Sequence, residues 1–107
     1  MEDSIDSTAN FLKVLADSTR LKIINFLKNN EKTVQEIQEY LNRSQSTVSQ
    51  QLKILTTADL LNVRQEGPKK FFMVKDNQIF DVLSKIESFM IENKDVTSQA
   101  VFDTLHK

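Results

Sequence analysis

Apolar residues recur at helical spacing along most of the chain, which predicts a mainly α fold. A first helix is predicted over residues 8–15. Asp17, Thr33 and Ser44 are residue types that favour helix N-termini, and each precedes a further apolar stripe. Thr33 is followed three residues later by Glu36, which is the spacing of a capping box. Four helices are therefore expected before the pattern changes.

The period changes around the Gly67-Pro68 pair, which contains the only glycine and the only proline of the chain. Residues 62–65 and 71–74 have the short apolar patterns of strands. They predict a hairpin whose turn contains Lys69 and Lys70.

Helical spacing returns over residues 76–92, and a last weak helix is predicted over residues 97–105. The order α-α-α-α-β-β-α is that of a winged helix-turn-helix, predicted here as a single domain over residues 1–107. Its helix-turn-helix would span residues 33–56 and its wing residues 61–75.

The fourth helix carries the pattern from which we infer function. One half of it is apolar, at Val48, Leu52, Ile54 and Leu55. The other half carries amides, hydroxyls and one lysine, at Gln45, Ser46, Ser49, Gln50 and Lys53. A solvent-exposed face normally contains Glu as well as Lys, yet this one has no acid. Amides and hydroxyls hydrogen-bond base edges in the major groove, whereas a carboxylate would be repelled by the phosphates. The alternative is a polar helix that contacts nothing. Thr47 completes the predicted DNA-contacting set of this helix.

Charge is distributed unevenly around a net charge of −1. Residues 43–75 contain six bases against two acids, and the segments at both ends of the chain are acidic. Arg64, Lys69 and Lys70 place three of these bases on the predicted wing, where they are expected to contact backbone phosphates.

Two segments, VLADSTRLKII at residues 14–24 and SQSTVSQQLKIL at residues 44–55, resemble the ArsR family of winged-helix repressors. The resemblance extends over residues 8–92. It implies that Gln45, Ser46, Ser49 and Gln50 are the positions that contact bases. The family often has a histidine where this chain has Gln50-Gln51, but glutamine can also bond adenine in a bidentate way.

The family commonly senses metals, so we compared the positions of its metal ligands. One family site uses cysteines on the third helix, and residues 32–40 contain none. The other uses an Asp-x-His motif and later ligands on the closing helix, where this chain has Asp76, Gln78, Phe89 and Glu92. Two carboxylates without imidazole are a poor transition-metal site. We therefore expect no metal, no cofactor and no thiol redox sensing, and we assign no small-molecule effector.

Large apolar residues on the first and closing helices exceed what a domain of 107 residues can bury. The resemblance implies that these helices, residues 8–16 and 76–92, pair across a two-fold axis. The predicted homodimer interface consists of Phe11, Leu12, Leu15, Ile79, Leu83, Ile86, Phe89 and Met90. The alternative is that Phe89 and Met90 line a pocket for a small ligand at this interface.

The composition excludes several classes of protein. The chain has no cysteine, one histidine and one glycine, so it lacks the parts of most catalytic sites, and we expect that it is not an enzyme. Its acidic N-terminus does not resemble a secretory signal, and no apolar run approaches the roughly 18 residues that span a bilayer. We expect a cytoplasmic protein without a membrane partner.

The sequence thus predicts a sequence-specific regulator of transcription that binds double-stranded DNA, acting as a repressor at an inverted-repeat operator. The main alternative is a winged-helix module that docks on another protein of the transcription machinery. Such a module should expose large apolar residues on the fourth helix.

Overall fold

The computed structural model of the chain describes residues 3–106, without the side chains of residues 96 and 97. The described chain forms two compact units, Met1–Asp76 and Asn77–Lys107. Each unit has its own internal packing. The prediction of a single domain over residues 1–107 stays a prediction.

Four helices build the described part of the first unit. They are α1 (Ser4–Leu15), α2 (Ser18–Phe26), α3 (Val34–Leu41) and α4 (Gln45–Thr57). The predicted N-caps are confirmed: Asp17 accepts from the backbone N–H of Arg20 at 3.1 Å, and Thr33 forms the capping box with Glu36. Helix α2 contacts α1, α3 and α4, so it lies at the centre of the helical layer.

Helix α1 begins four residues earlier than predicted. The side chain of Asp3 accepts a hydrogen bond from the backbone N–H of Ile5 at 2.9 Å and caps the helix. The first turn contains one large apolar residue, Ile5, which is exposed, so apolar periodicity could not indicate it.

A small antiparallel sheet forms the wing. Its described strands are β1 (Lys32–Thr33), β2 (Leu61–Glu66) and β3 (Lys69–Val74), in the order β1-β3-β2. The predicted hairpin is confirmed, and β1 is an additional strand that the sequence did not indicate.

One prediction about the hairpin is wrong. Lys69 and Lys70 do not lie in the turn; they are the first residues of β3, where they pair with Glu66 and Gln65. The turn is Gly67-Pro68, and Gly67 has the positive φ of 59° that glycine adopts without steric cost. Both lysines remain exposed at the tip of the wing.

The core of the first unit lies between the helices and one face of the sheet. Its buried apolar residues are Leu15, Ile23, Ile24, Leu27, Ile37, Val48, Leu52, Leu55, Leu61 and Phe72. The expectation that Ile54 faces this core is wrong, because its side chain is 39% exposed. Ile54 lies about 100° around α4 from Leu55, at the border between the apolar and polar halves.

The second unit is helical in its described residues. It contains α5 (Gln78–Glu92), a 3₁₀ helix (Lys94–Thr97) and α6 (Gln99–Leu105), which begins two residues after the predicted start. The order α-α-α-α-β-β-α is confirmed, and so is the last helix, α6; β1 and the 3₁₀ helix are additional elements. None of the helices between residues 3 and 106 is long and apolar enough to cross a membrane.

Candidate nucleic-acid interface

Helix α4 presents its acid-free face to solvent. The hydroxyl of Ser44 caps the helix by accepting from the backbone N–H of Thr47 at 3.2 Å. Burial of Val48, Leu52 and Leu55 fixes one side of the helix against the core. The predicted polar set is exposed on the other side, at Gln45, Ser46, Ser49, Gln50 and Lys53. The side chain of Thr47 is half-buried.

The hydroxyl of Thr47 is engaged in the cap. The Ser44 Oγ donates to the Thr47 Oγ1 at 3.0 Å, so both hydroxyls already have a local partner. Thr47 is therefore the member of the predicted set whose side chain is least free to contact a base.

An open groove of about 1280 Å³ separates α4 from the wing. Gln45, Ser49 and Lys53 line it from α4, and Lys69 and Lys70 line it from β3. Residues of α3 also line it. The groove thus brings together five residues that were predicted separately on the helix and on the wing.

Glu36 also lines this groove, and its carboxylate is held by the capping box. It accepts from the backbone N–H of Thr33 at 3.0 Å. That hydrogen bond, and then the Thr33 hydroxyl and the charges of Lys32 and Lys69, lower the pKa of Glu36 below its ordinary value. Its negative charge is therefore directed at a helix N-terminus, where it is favourable.

Arg64 lies in a different environment from the two wing lysines. Its guanidinium bonds Glu31 through Nη2 at 2.6 Å and Glu66 through Nη1 at 2.6 Å. It also stacks over the ring of Phe71, 4.4 Å from the centroid. The hydrogen bond to Arg64 lowers the pKa of the Glu31 carboxyl, and the two carboxylates raise the pKa of Arg64.

Two carboxylates outweigh the single charge of Arg64, so this cluster is not a source of positive potential. Arg64 does not line the groove. Three of the five N–H donors of its guanidinium are already bonded to these carboxylates. The geometry instead suits a structural role. Glu31 precedes β1 and reaches across β3 to Arg64 on β2, so the ion pair links the two outer strands of the sheet. We therefore leave Arg64 out of the phosphate contacts proposed below.

Arg20 has a structural role that the sequence analysis did not predict. Its guanidinium donates to the backbone oxygen of Val14 at 2.5 Å and that of Lys13 at 3.2 Å, and to the side-chain oxygen of Gln51 on α4 at 2.8 Å. It thereby joins the end of α1 to α2 and α4. The available signal was its place in the segment ADSTRL, at residues 16–21, that carried the family resemblance.

The predicted dimer residues of α1 divide into two groups. Leu12 is 48% exposed and Phe11 is half-buried, whereas Leu15 is buried within the chain. Leu15 therefore offers little surface to a partner, because its side chain already packs in the core.

The predicted dimer residues of α5 are mostly exposed. Ile86, Phe89 and Met90 are exposed, Phe89 to 50%, and Leu83 is half-buried. Ile79 is buried and contributes little surface. The exposed residues recur at intervals of three and four, so they form one apolar stripe on α5.

The metal-ligand positions were also compared with the structure. Between residues 3 and 106, no three His, Cys, Asp or Glu side chains lie close enough together to hold a metal ion.

The comparison with known proteins follows the same elements. Residues 17–63, from the cap of α2 into β2, match the model of the family described as bacterial regulatory protein, arsR family. A relative from Streptomyces lividans named "Probable mercury resistance operon repressor" is 33% identical over 88 residues, covering 82% of this chain and 70% of its own length. The transcriptional activator HlyU of Vibrio cholerae is also 33% identical, over 74% of this chain and 73% of its own length.

A solved structure has the same fold. The homodimeric winged helix-turn-helix DNA-binding domain from Mycobacterium bovis, determined by NMR, superposes with a TM-score of 0.72 at 24% identity, covering 82% of each chain. This match supports the fold and the assignment of β2 and β3 as the wing.

The state of Arg64 can be tested through the titration of its partner. We expect the pKa of Glu31, followed by NMR of the side-chain carboxyl, to lie below its ordinary value of 4.5 and to return towards it in Arg64→Met. A lowered pKa means that the ion pair stabilises the folded chain above pH 4.5 and that this contribution is lost as the pH falls below it. Glu36 is the control, because its pKa is lowered by Thr33 and should stay low in the variant. A Glu31 that titrates normally in the wild type would contradict the ion pair between Glu31 and Arg64.

Proposed function

The chain belongs to the arsR family of bacterial regulatory proteins, winged helix-turn-helix regulators of transcription that bind DNA, and on that premise we propose that it is a repressor. It binds an inverted-repeat operator as a homodimer. Helix α4 contacts base edges in the major groove, and the wing contacts the sugar-phosphate backbone.

The observation that carries this proposal is the exposed acid-free face of α4. Five neighbouring exposed positions on one helix carry amides, hydroxyls and a lysine. Glutamine can bond adenine through two hydrogen bonds, and serine can bond several bases. An α-helix, about 10–12 Å in diameter with its side chains, also fits the major groove, which is about 12 Å wide. The face therefore has the chemistry and the shape for sequence recognition.

Different residues of the interface have different roles. Ser46 and Gln50 lie at the middle of the exposed face, outside the groove that separates α4 from the wing. We assign base contacts to them first. Lys69 and Lys70 place positive charge at the tip of the wing, where a sugar-phosphate strand would pass. They position the protein on the duplex without selecting a sequence.

The homodimer is supported by the apolar stripe of α5 and by the M. bovis structure, which is homodimeric. Two copies related by a two-fold axis would present two α4 helices to DNA. Such a protein recognises half-sites in inverted orientation, about one helical turn apart.

Repression is proposed because it requires only occupancy of the operator. The S. lividans relative is named a repressor, whereas HlyU is named an activator. Activation requires a further surface that recruits the transcription machinery, and the arrangement of α4 and the wing does not need one. The proposal is therefore the function that demands least beyond DNA binding.

The two halves of the DNA surface should respond differently to substitution. Gln50→Ala removes base contacts and should weaken binding to the cognate duplex by about 1–3 kcal/mol, with little loss on random DNA. Lys69→Ala removes a phosphate contact, so binding to both duplexes should weaken alike and the dependence on salt should become shallower. Titration of both variants against the two duplexes at two salt concentrations measures the contrast.

Gln99→Ala is a suitable control, because it removes an exposed amide on α6 that does not line the groove between α4 and the wing. It should leave the preference for the cognate duplex unchanged. If Gln50→Ala weakened binding to cognate and random DNA equally, α4 would not be the recognition element. The module that docks on another protein would then be the better account.

The dimer can be tested on α5. Phe89→Asp places a carboxylate within the apolar stripe, where burial without a partner is costly. We expect sedimentation at micromolar concentration to give twice the chain mass of 12.4 kDa for the wild type and the single chain mass for Phe89→Asp. DNA binding should fall with dimerisation. Ser88→Asp is the matched control, because it adds the same charge at the adjacent exposed position and should stay dimeric. A wild type that sediments as a single chain would contradict the homodimer.

A further inference from the structure

A second, smaller surface pocket shares no lining residue with the groove between α4 and the wing. It has a volume of about 310 Å³ and is lined by Thr19 and Lys22 of α2, Tyr40 and Leu41 of α3, and Arg43 of the turn before α4. These lining residues include two cations and two hydroxyls and no carboxylate. Their composition is that of an anion site.

One ring and one backbone segment of this pocket are held in place. The ring of Tyr40 stacks on Phe26 with centroids 4.0 Å apart and planes 10° apart. Arg43 follows Asn42, which adopts the left-handed conformation with a φ of 54°, and its backbone N–H donates to Gln38 at 3.3 Å. The hydroxyl of Tyr40 and the start of the Arg43 side chain therefore have defined positions.

The two flanks of α4 face different neighbours. Ser49 faces the groove shared with the wing, whereas Gln51 bonds Arg20 of α2. These two residues of α4 are separated by about 200° of rotation about its axis. The exposed face of α4 therefore has the wing along one flank and α2 along the other.

The pocket adjoins the start of α4, because Arg43 lies two residues before the first residue of that helix. Thr19 and Lys22 lie about one helical turn apart on α2. A helix about 10–12 Å in diameter fills the major groove and has a sugar-phosphate strand on each side. The wing lysines can reach one of these strands only.

We propose that Lys22 and Arg43, assisted by the hydroxyls of Thr19 and Tyr40, bind a DNA backbone phosphate on the strand opposite to the wing. This inference rests on the proposed function. It gives α4 a phosphate contact on each flank, which fixes its rotation in the groove as well as its depth. It also supplies phosphate-binding cations in addition to the wing lysines. Arg64 does not serve this purpose, because Glu31 and Glu66 neutralise its charge.

Salt dependence tests the contact. We expect Lys22→Ala and Arg43→Ala each to weaken binding several-fold, and equally, on a duplex selected from a random pool and on a random duplex of the same length. The slope of log K against log salt should become shallower by about 0.9 for each lost phosphate contact. The control is Lys85→Ala on α5, which removes an exposed lysine outside both pockets and should leave the slope unchanged. Thermal unfolding and sedimentation confirm that all three variants fold and assemble like the wild type.

Neutral methylphosphonate linkages locate the phosphate. One phosphate at a time is replaced along the selected duplex. At the phosphate that Arg43 binds, the neutral linkage should weaken binding of the wild type but should not weaken binding of Arg43→Ala further. Lys69→Ala should become insensitive to the neutral linkage at a different phosphate, on the other strand. Variants of Lys22 and Arg43 that behave like Lys85→Ala, or that share the sensitive positions of Lys69→Ala, would overturn the inference.

Failure of the inference can be distinguished from failure of the proposed function. A wild type that prefers the selected duplex, with Lys22 and Arg43 variants that keep the wild-type salt slope, refutes only the second phosphate contact. A wild type with no preference among duplexes refutes the proposed function, and the inference with it.

Discussion

Burial of Val48, Leu52 and Leu55 determines the rotation of α4, and the rest of the interface depends on that rotation. With these three side chains in the core, the acid-free half of the helix must face solvent. The hydrogen bond from Arg20 to Gln51 adds a polar constraint on the same helix, because it joins the α2 side of α4 to the end of α1. A rotation of α4 by one residue would expose an apolar side chain and turn Gln50 away from the surface.

The positive charge of the interface is more localised than the sequence indicates. Glu31 and Glu66 neutralise Arg64, and Glu36 is directed at the backbone of Thr33. Exposed cations of the interface are Lys53 on α4 and the two lysines of β3. The proposed second phosphate contact adds Lys22 and Arg43, which are also exposed. Exposed ion pairs add little stability individually, so the effect of the Arg64 cluster is on wing geometry and local charge.

Much of the fold could be predicted because its signals are local. Thr33 and Glu36 are three residues apart, and the Gly67-Pro68 pair marks its own turn. What the sequence could not indicate depends on distant partners or on very short elements. Arg64 meets Glu31 across 33 positions of the chain, and β1 has two residues and therefore no periodicity. The exposure of Ile54 was missed because a helical wheel has no sharp border. The acid-free face was predictable because Val48, Leu52 and Leu55 set the helix orientation and the composition of the opposite half followed directly.

The central claim is that the exposed face of α4 selects a DNA sequence, and one selection experiment tests it directly. The full chain is mixed with a pool of random duplexes, and the bound fraction is amplified and sequenced over several rounds. The account predicts enrichment of an inverted repeat whose half-sites lie about 10 bp apart from centre to centre. Retention of DNA without any enriched sequence would contradict it, because α4 would then contact the duplex without distinguishing its bases.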